Sequence, residues 1–180
     1  MIPQYIPDIF AGVVNQVSIA MQARTVNPFP VYFDFGHYKE VLRQMEWKDQ
    51  SVTMKEQKFP MIWLVMDFDE SMGENPANYA KISTINFLLM NSTKPEWTMA
   101  ERRDNNYLPI LYPMLAEFIK QISLSVELGM RPEAQLKYTK TDRPYWGLEL
   151  GGSNEKNFFN DYLDAIQLRN MNLNIVNKLC

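Results

Sequence analysis

Cysteine is nearly absent from this chain: Cys180 is the only one, and it is the last of 180 residues. No intrachain disulfide can form, so packing must hold the fold, as suits a reducing compartment. Histidine is as scarce. His37 stands alone, so a histidine metal site or a Ser-His-Asp triad would rest on one imidazole; after Gly36 it reads as a surface turn residue. No apolar run approaches the ~20 residues that span a bilayer. Residues 1–8 lack a basic segment before an apolar one, so no secretory signal is expected. Basic charge is thin too. A formal charge of −3 and a pI near 5.3 argue against gripping nucleic acid through a basic face. The basic groupings, Arg102-Arg103 and the scatter Lys137, Lys140 and Arg143, read as solvated charge. Gly151-Gly152 lacks the flanking pattern of a phosphate loop.

What is present suits one globular domain over 1–180. Hydrophobic residues are 46% and charged residues 22% of the chain, near the globular average, which excludes wholesale disorder. Ile9, Phe10, Val13, Val14, Val17, Ala20 and Met21 fall at helical spacing and predict a helix over 8–24, with Asp8 after Pro7 as its cap. A strand at 31–36 and a helix at 38–47 follow. Ile110, Leu111, Met114, Leu115, Phe118, Ile119 and Ile122 predict a second long helix over 106–125. Pro109 suits its first turn, while Pro113 marks the true start or a kink. The last third predicts strands at 134–139 and 145–150, a helix at 157–167 and a closing strand at 171–176. The fold class is α+β: a mainly antiparallel sheet carrying two principal amphipathic helices.

The stretch "KFPMIWLVMDFDESMGE", 58–74, carries the sharpest signal. As a strand over 59–68 it sends Phe59, Met61, Trp63 and Val65 one way and Ile62, Leu64, Met66 and Phe68 the other. Both faces are apolar, so both need cover, which marks a central strand. A neighbouring subunit or the 38–47 helix are the two candidate covers for the second face. Residues 69–78 read as an acidic turn, and 79–92 as the antiparallel partner strand. Asp67 and Asp69, two apart, could share a hard cation such as Mg²⁺. Asp49 with Glu56 and Lys58 has the letters of a metal-dependent nuclease core, although Lys55 and Gln57 make its surroundings polar.

The order of segments carries a resemblance. An amphipathic helix is followed by "PFPVYFDFGHYKEVL", "KFPMIWLVMDFDE", "ISTINFLLMNSTKPEW", "ERRDNNYLPILYPMLAEFIKQI" and "NFFNDYLDAIQLRNMNLNI". This resembles the tail-terminator and tail-completion proteins of tailed bacteriophages and the related ring proteins of phage necks. The matching pieces are Phe59-Pro60-Met61-Ile62-Trp63-Leu64, Leu111-Tyr112-Pro113-Met114-Leu115 and Asn160-Asp161-Tyr162-Leu163-Asp164-Ala165-Ile166.

The resemblance implies a structural virion protein without enzymatic activity or cofactor, assembled in the host bacterial cytoplasm. It implies a homo-oligomeric ring at the neck or the tail-tube junction. Its partners would be copies of itself and adjacent portal-side or tail proteins, with DNA passing through the lumen without specific binding. Asp69, Glu70, Glu74, Arg102, Arg103, Tyr145 and Trp146 are the candidate interface or lumen residues. An acidic lumen would repel the DNA backbone and prevent sticking. The alternatives are a metal-dependent nuclease or hydrolase using Asp67 and Asp69 or Asp49, Glu56 and Lys58, and a host-directed adaptor acting as a monomer.

Overall fold

A computed structural model of the chain describes residues 5–52, 54, 56–72, 79–149, 156–157 and 161–176. The fold is α+β, with a six-stranded, mainly antiparallel sheet. Strand β1 (Tyr32–Gly36) leads through α2 (Tyr38–Gln50) to β2 (Met61–Val65), which pairs parallel to β1. Every other pairing is antiparallel. β2 and the short β3 (Asp69–Met72) both pair with the long β4 (Tyr79–Ser92), then β4 with β8 (Leu163–Val176), and β8 with β5 (Thr139–Trp146). The path across the sheet is β1-β2-β4-β8-β5, so the expected hairpin forms and β2 lies inside the sheet.

One face packs on α1 (Ile6–Gln22) and α4 (Tyr112–Leu124). Phe87 of β4 meets Phe10 and Phe118 edge-on at 4.9 and 5.0 Å, joining both helices to the sheet. Ile62, Leu64, Met66 and Phe68 turn to this side, as the alternation requires. Met61, Trp63 and Val65 turn to the other, where Val41 and Met45 of α2 cover them together with Leu88, Met90, Leu163 and Ala165. Trp63 is fully buried, and its Nε1 donates to the Gly36 carbonyl at 3.1 Å. The second cover is therefore α2 of the same chain. No neighbouring subunit is needed to bury β2.

Local chemistry explains most element ends. Pro7 and Asp8 lie inside the first turn of α1, and the cap position belongs to Tyr5 without a side-chain bond, so Asp8 is not the cap. His37 caps α2: its Nδ1 accepts from the Lys39 N–H at 3.2 Å while Glu40 accepts from the His37 N–H at 2.7 Å. Gly36, at φ 149, serves this junction, because a Cβ there would strike the Glu40 carboxylate and crowd Trp63. Gly36→Ala is expected to cost about 1–3 kcal/mol in urea unfolding; a loss under about 0.5 kcal/mol would contradict this packing.

The second long helix is compound. A capped turn, α3 (Met99–Arg102), runs into a π-helix at Arg103–Leu111 and then α4. The wider π register accommodates Pro109. Pro113 falls at the start of α4 and cannot donate to the Pro109 carbonyl, which instead accepts from Arg24 Nη1 at 3.1 Å.

The last third departs most from expectation. Residues 133–135 form one 3₁₀ turn, and β5 begins only at Thr139. A small hairpin pairs β6 (Leu148–Glu149) with β7 (Lys156–Asn157). The expected helix at 157–167 is overturned: from Leu163 the chain is already β8, which runs 14 residues to Val176.

Candidate functional site

The segments behind the resemblance converge on one buried ion pair and on a second, partly exposed cluster around a buried lysine. Arg102 was expected to be solvated, yet it and Asp164 are both fully buried. Arg102 Nη1 donates to Asp164 Oδ1 at 2.6 Å and to Thr93 Oγ1 at 3.0 Å. Its Nε donates to the Trp97 carbonyl and its Nη2 to the Lys94 carbonyl, at 3.1 and 2.7 Å. The Tyr145 ring lies over the guanidinium, 3.5 Å from Cζ to centroid. Asp164 also accepts from the Tyr145 N–H at 3.2 Å and from Asn106 Nδ2 at 2.9 Å. Asn106 Oδ1 in turn accepts from Asn91 at 2.9 Å.

The backbone bends to make this possible. β5 loses register between Arg143 and Trp146, and Tyr145 takes φ 52, aiming its N–H at Asp164. Arg102 thus sits in the core, and Tyr145 and Trp146 turn partly inward, Trp146 against the α2-side cluster. Arg103, one helical step on, is exposed. It borders an open groove of about 440 Å³ with Met99, Tyr107, Tyr112 and Pro144. Burial pushes the Tyr107 phenol well above its ordinary range, with Asp164 and Asp142 adding to the effect.

The second cluster builds on the nuclease letters. Lys58 is 4% exposed and donates to Asp49 Oδ1 at 2.6 Å and to Asp161. The structure thus joins Asp49 and Lys58, adds Asp161, and leaves Glu56 exposed and apart. The ammonium is clamped between two carboxylates, a geometry that ties the "KFP" and "NDYLDAI" segments together. Both acids of that late motif therefore hold buried cations.

The acids after β2 do not converge. Val65 ends the strand, and the Asp67 N–H folds back to the Val65 carbonyl at 2.9 Å. This break removes the continuous strand that would set Asp67 and Asp69 on one face. Asp69 and Glu70 are exposed in β3 and alternate to opposite sides, opposite Ser83 and Ile82 respectively. Glu74 lies outside the described residues. Among the described residues, no three His, Cys, Asp or Glu side chains gather as a metal site. Nor is any described helix long and apolar enough to cross a membrane.

Sequence reasoning missed Asn91 and Asn106 as partners of the buried pair, although Asp164 stood in a quoted segment. Compared with known proteins, the chain matches no family model and no curated protein.

Proposed function

We propose that the chain is a structural virion protein that closes into a homo-oligomeric ring at the head–tail neck or the tail-tube junction of a tailed bacteriophage. There it docks adjacent ring or tail proteins while DNA passes. The observation that carries this reading is that the segments behind the resemblance build one connected framework. "VYFDFG" is β1 with its Gly exit, "MIWLV" the interior strand, and "LYPML" the join of the π-helix to α4. "NDYLDAI" is bonded to the rest through Lys58 and Arg102.

The sheet lends further support. Among the described residues β1 pairs only with β2, and β5 only with β8, so the sheet has two unlike open edges. Unlike edges favour a heterologous, head-to-tail contact, and such contacts form a ring where the rotation between subunits closes. β1 presents Phe35, 37% exposed, edge-on to Tyr5, 53% exposed, with ring centroids 5.9 Å apart. The ring reading rests on these edges and not on any need to cover β2.

The test is light scattering with negative-stain imaging of the purified chain, alone and with isolated tail tubes. The reading expects ring particles or capped tubes. Phe35→Glu should reduce both at least tenfold while leaving the circular dichroism of the subunit unchanged. Unchanged assembly of the F35E variant would contradict the β1 contact.

A further inference from the structure

The half of the sheet's second face that α2 leaves uncovered is polar and basic. In β8, Met171, Leu173 and Ile175 enter the core under α1 and α4, so Asn172 and Asn174 point the other way. Before the irregularity at Asn170 (φ 58), Gln167 and Arg169 continue the side of Leu163 and Ala165. Strand register extends the surface, because cross-strand partners share a face. On β5, Thr139 lies opposite Arg169, Thr141 opposite Gln167, and Arg143 opposite Ala165. On β4, Lys81 lies opposite Asn174, and on β3 Ser71 opposite Lys81 and Asp69 opposite Ser83.

Three cations, Lys81, Arg143 and Arg169, therefore share one surface with hydroxyls and carboxamides. Asp69 is the one acid among these strand residues. The net charge of −3 conceals this distribution. None of the three cations is in an ion pair among the described residues. Arg143 donates to Gln167 at 3.2 Å. Among the described residues Arg169 Nε is buried without a hydrogen-bond partner.

The chemistry selects the occupant. Protein interfaces are anchored by large apolar or aromatic side chains. At the α2 border of this face Tyr38, an exposed aromatic, accepts from Gln167 at 3.0 Å through its hydroxyl, and the open-face strand residues named above are all polar. Arginine, lysine, threonine, serine and carboxamide side chains are the groups that bond phosphate and sugar oxygens. We propose that this open sheet face binds the sugar–phosphate backbone of duplex DNA without reading its sequence. The site lies on one subunit's face and does not depend on ring closure.

The test is fluorescence anisotropy of the whole chain with a labelled DNA duplex of about 24 base pairs, titrated between about 50 and 200 mM NaCl. Three phosphate contacts predict a slope of log affinity against log salt of about −2.7, or roughly 40-fold weakening over that range. Two unrelated sequences should bind alike. Lys81→Gln with Arg143→Gln, both exposed positions, should flatten the slope to about −0.9 and weaken binding at least tenfold at low salt. Asp69→Asn should act in the opposite direction and strengthen binding. Arg169→Gln should weaken binding while circular dichroism reports the folded state.

Absence of binding at about 100 µM folded protein in low salt would overturn the proposal. So would binding that the K81Q/R143Q variant leaves unchanged. A variant that alters oligomeric mass but not DNA affinity would assign the face to another copy of the chain and equally overturn it.

Discussion

Arg102→Met is expected to remove about 3–5 kcal/mol of folding stability, because it strands Asp164 as an uncompensated buried charge. The guanidinium currently supplies four hydrogen bonds and lies beneath the Tyr145 ring. Its removal also leaves the Trp97 and Lys94 carbonyls without that donor. Asp164→Asn should be costly too, because it leaves the Arg102 cation buried without its counter-charge. The one carboxamide oxygen can replace either Oδ1, which accepts from Arg102 and the Tyr145 N–H, or Oδ2, which accepts from Asn106, but not both. The R102M/D164L double variant should recover part of the single-variant loss, because neither charge then remains buried alone. Urea unfolding of the unsubstituted chain, R102M, D164L and R102M/D164L measures this cycle. Additive losses, or a loss below about 1 kcal/mol for R102M, would show that the pair is not coupled as the structure describes.

The second large effect belongs to Trp63. Trp63→Ala should cost about 3–5 kcal/mol, the range for emptying a large aromatic site. The ring is the largest fully buried side chain of the α2-side cluster, and its Nε1 fixes the Gly36 carbonyl. Trp63→Phe should cost less, because that carbonyl still accepts from the Met66 N–H at 3.0 Å and most apolar area remains. These losses should appear in the isolated monomer, since α2 supplies the cover within one chain. A W63A loss that appears only in assembled material would contradict that reading and return the cover to a neighbouring subunit.

The two amphipathic helices, the β2–β4 hairpin and the split of 61–68 between two faces were legible because periodicity states them directly. The first half of β8 was not. Leu163 to Ile166 are all buried, so the run shows no alternation, and covered strands do not announce themselves. Arg102 misled for a related reason: an Arg-Arg pair on a helix start reads as solvated charge, and only its distant partner, Asp164, brings it inside. Asn91 and Asn106 carried no pattern at all. The open basic face was hidden because Lys81, Arg143 and Arg169 lie on three strands and meet only through register. For the acids at 67–70, the break after Val65 was the unreadable fact.

Ring formation at a phage neck or tail end is the central proposal, and cryo-EM of virions purified from a culture that produces the chain tests it most directly. The account predicts density for this six-stranded subunit repeated around the DNA axis at the neck or the tail-tube end, with the β1 edge of each copy against its neighbour. Virions that lack the chain, or that carry it as isolated copies away from that axis, would contradict it.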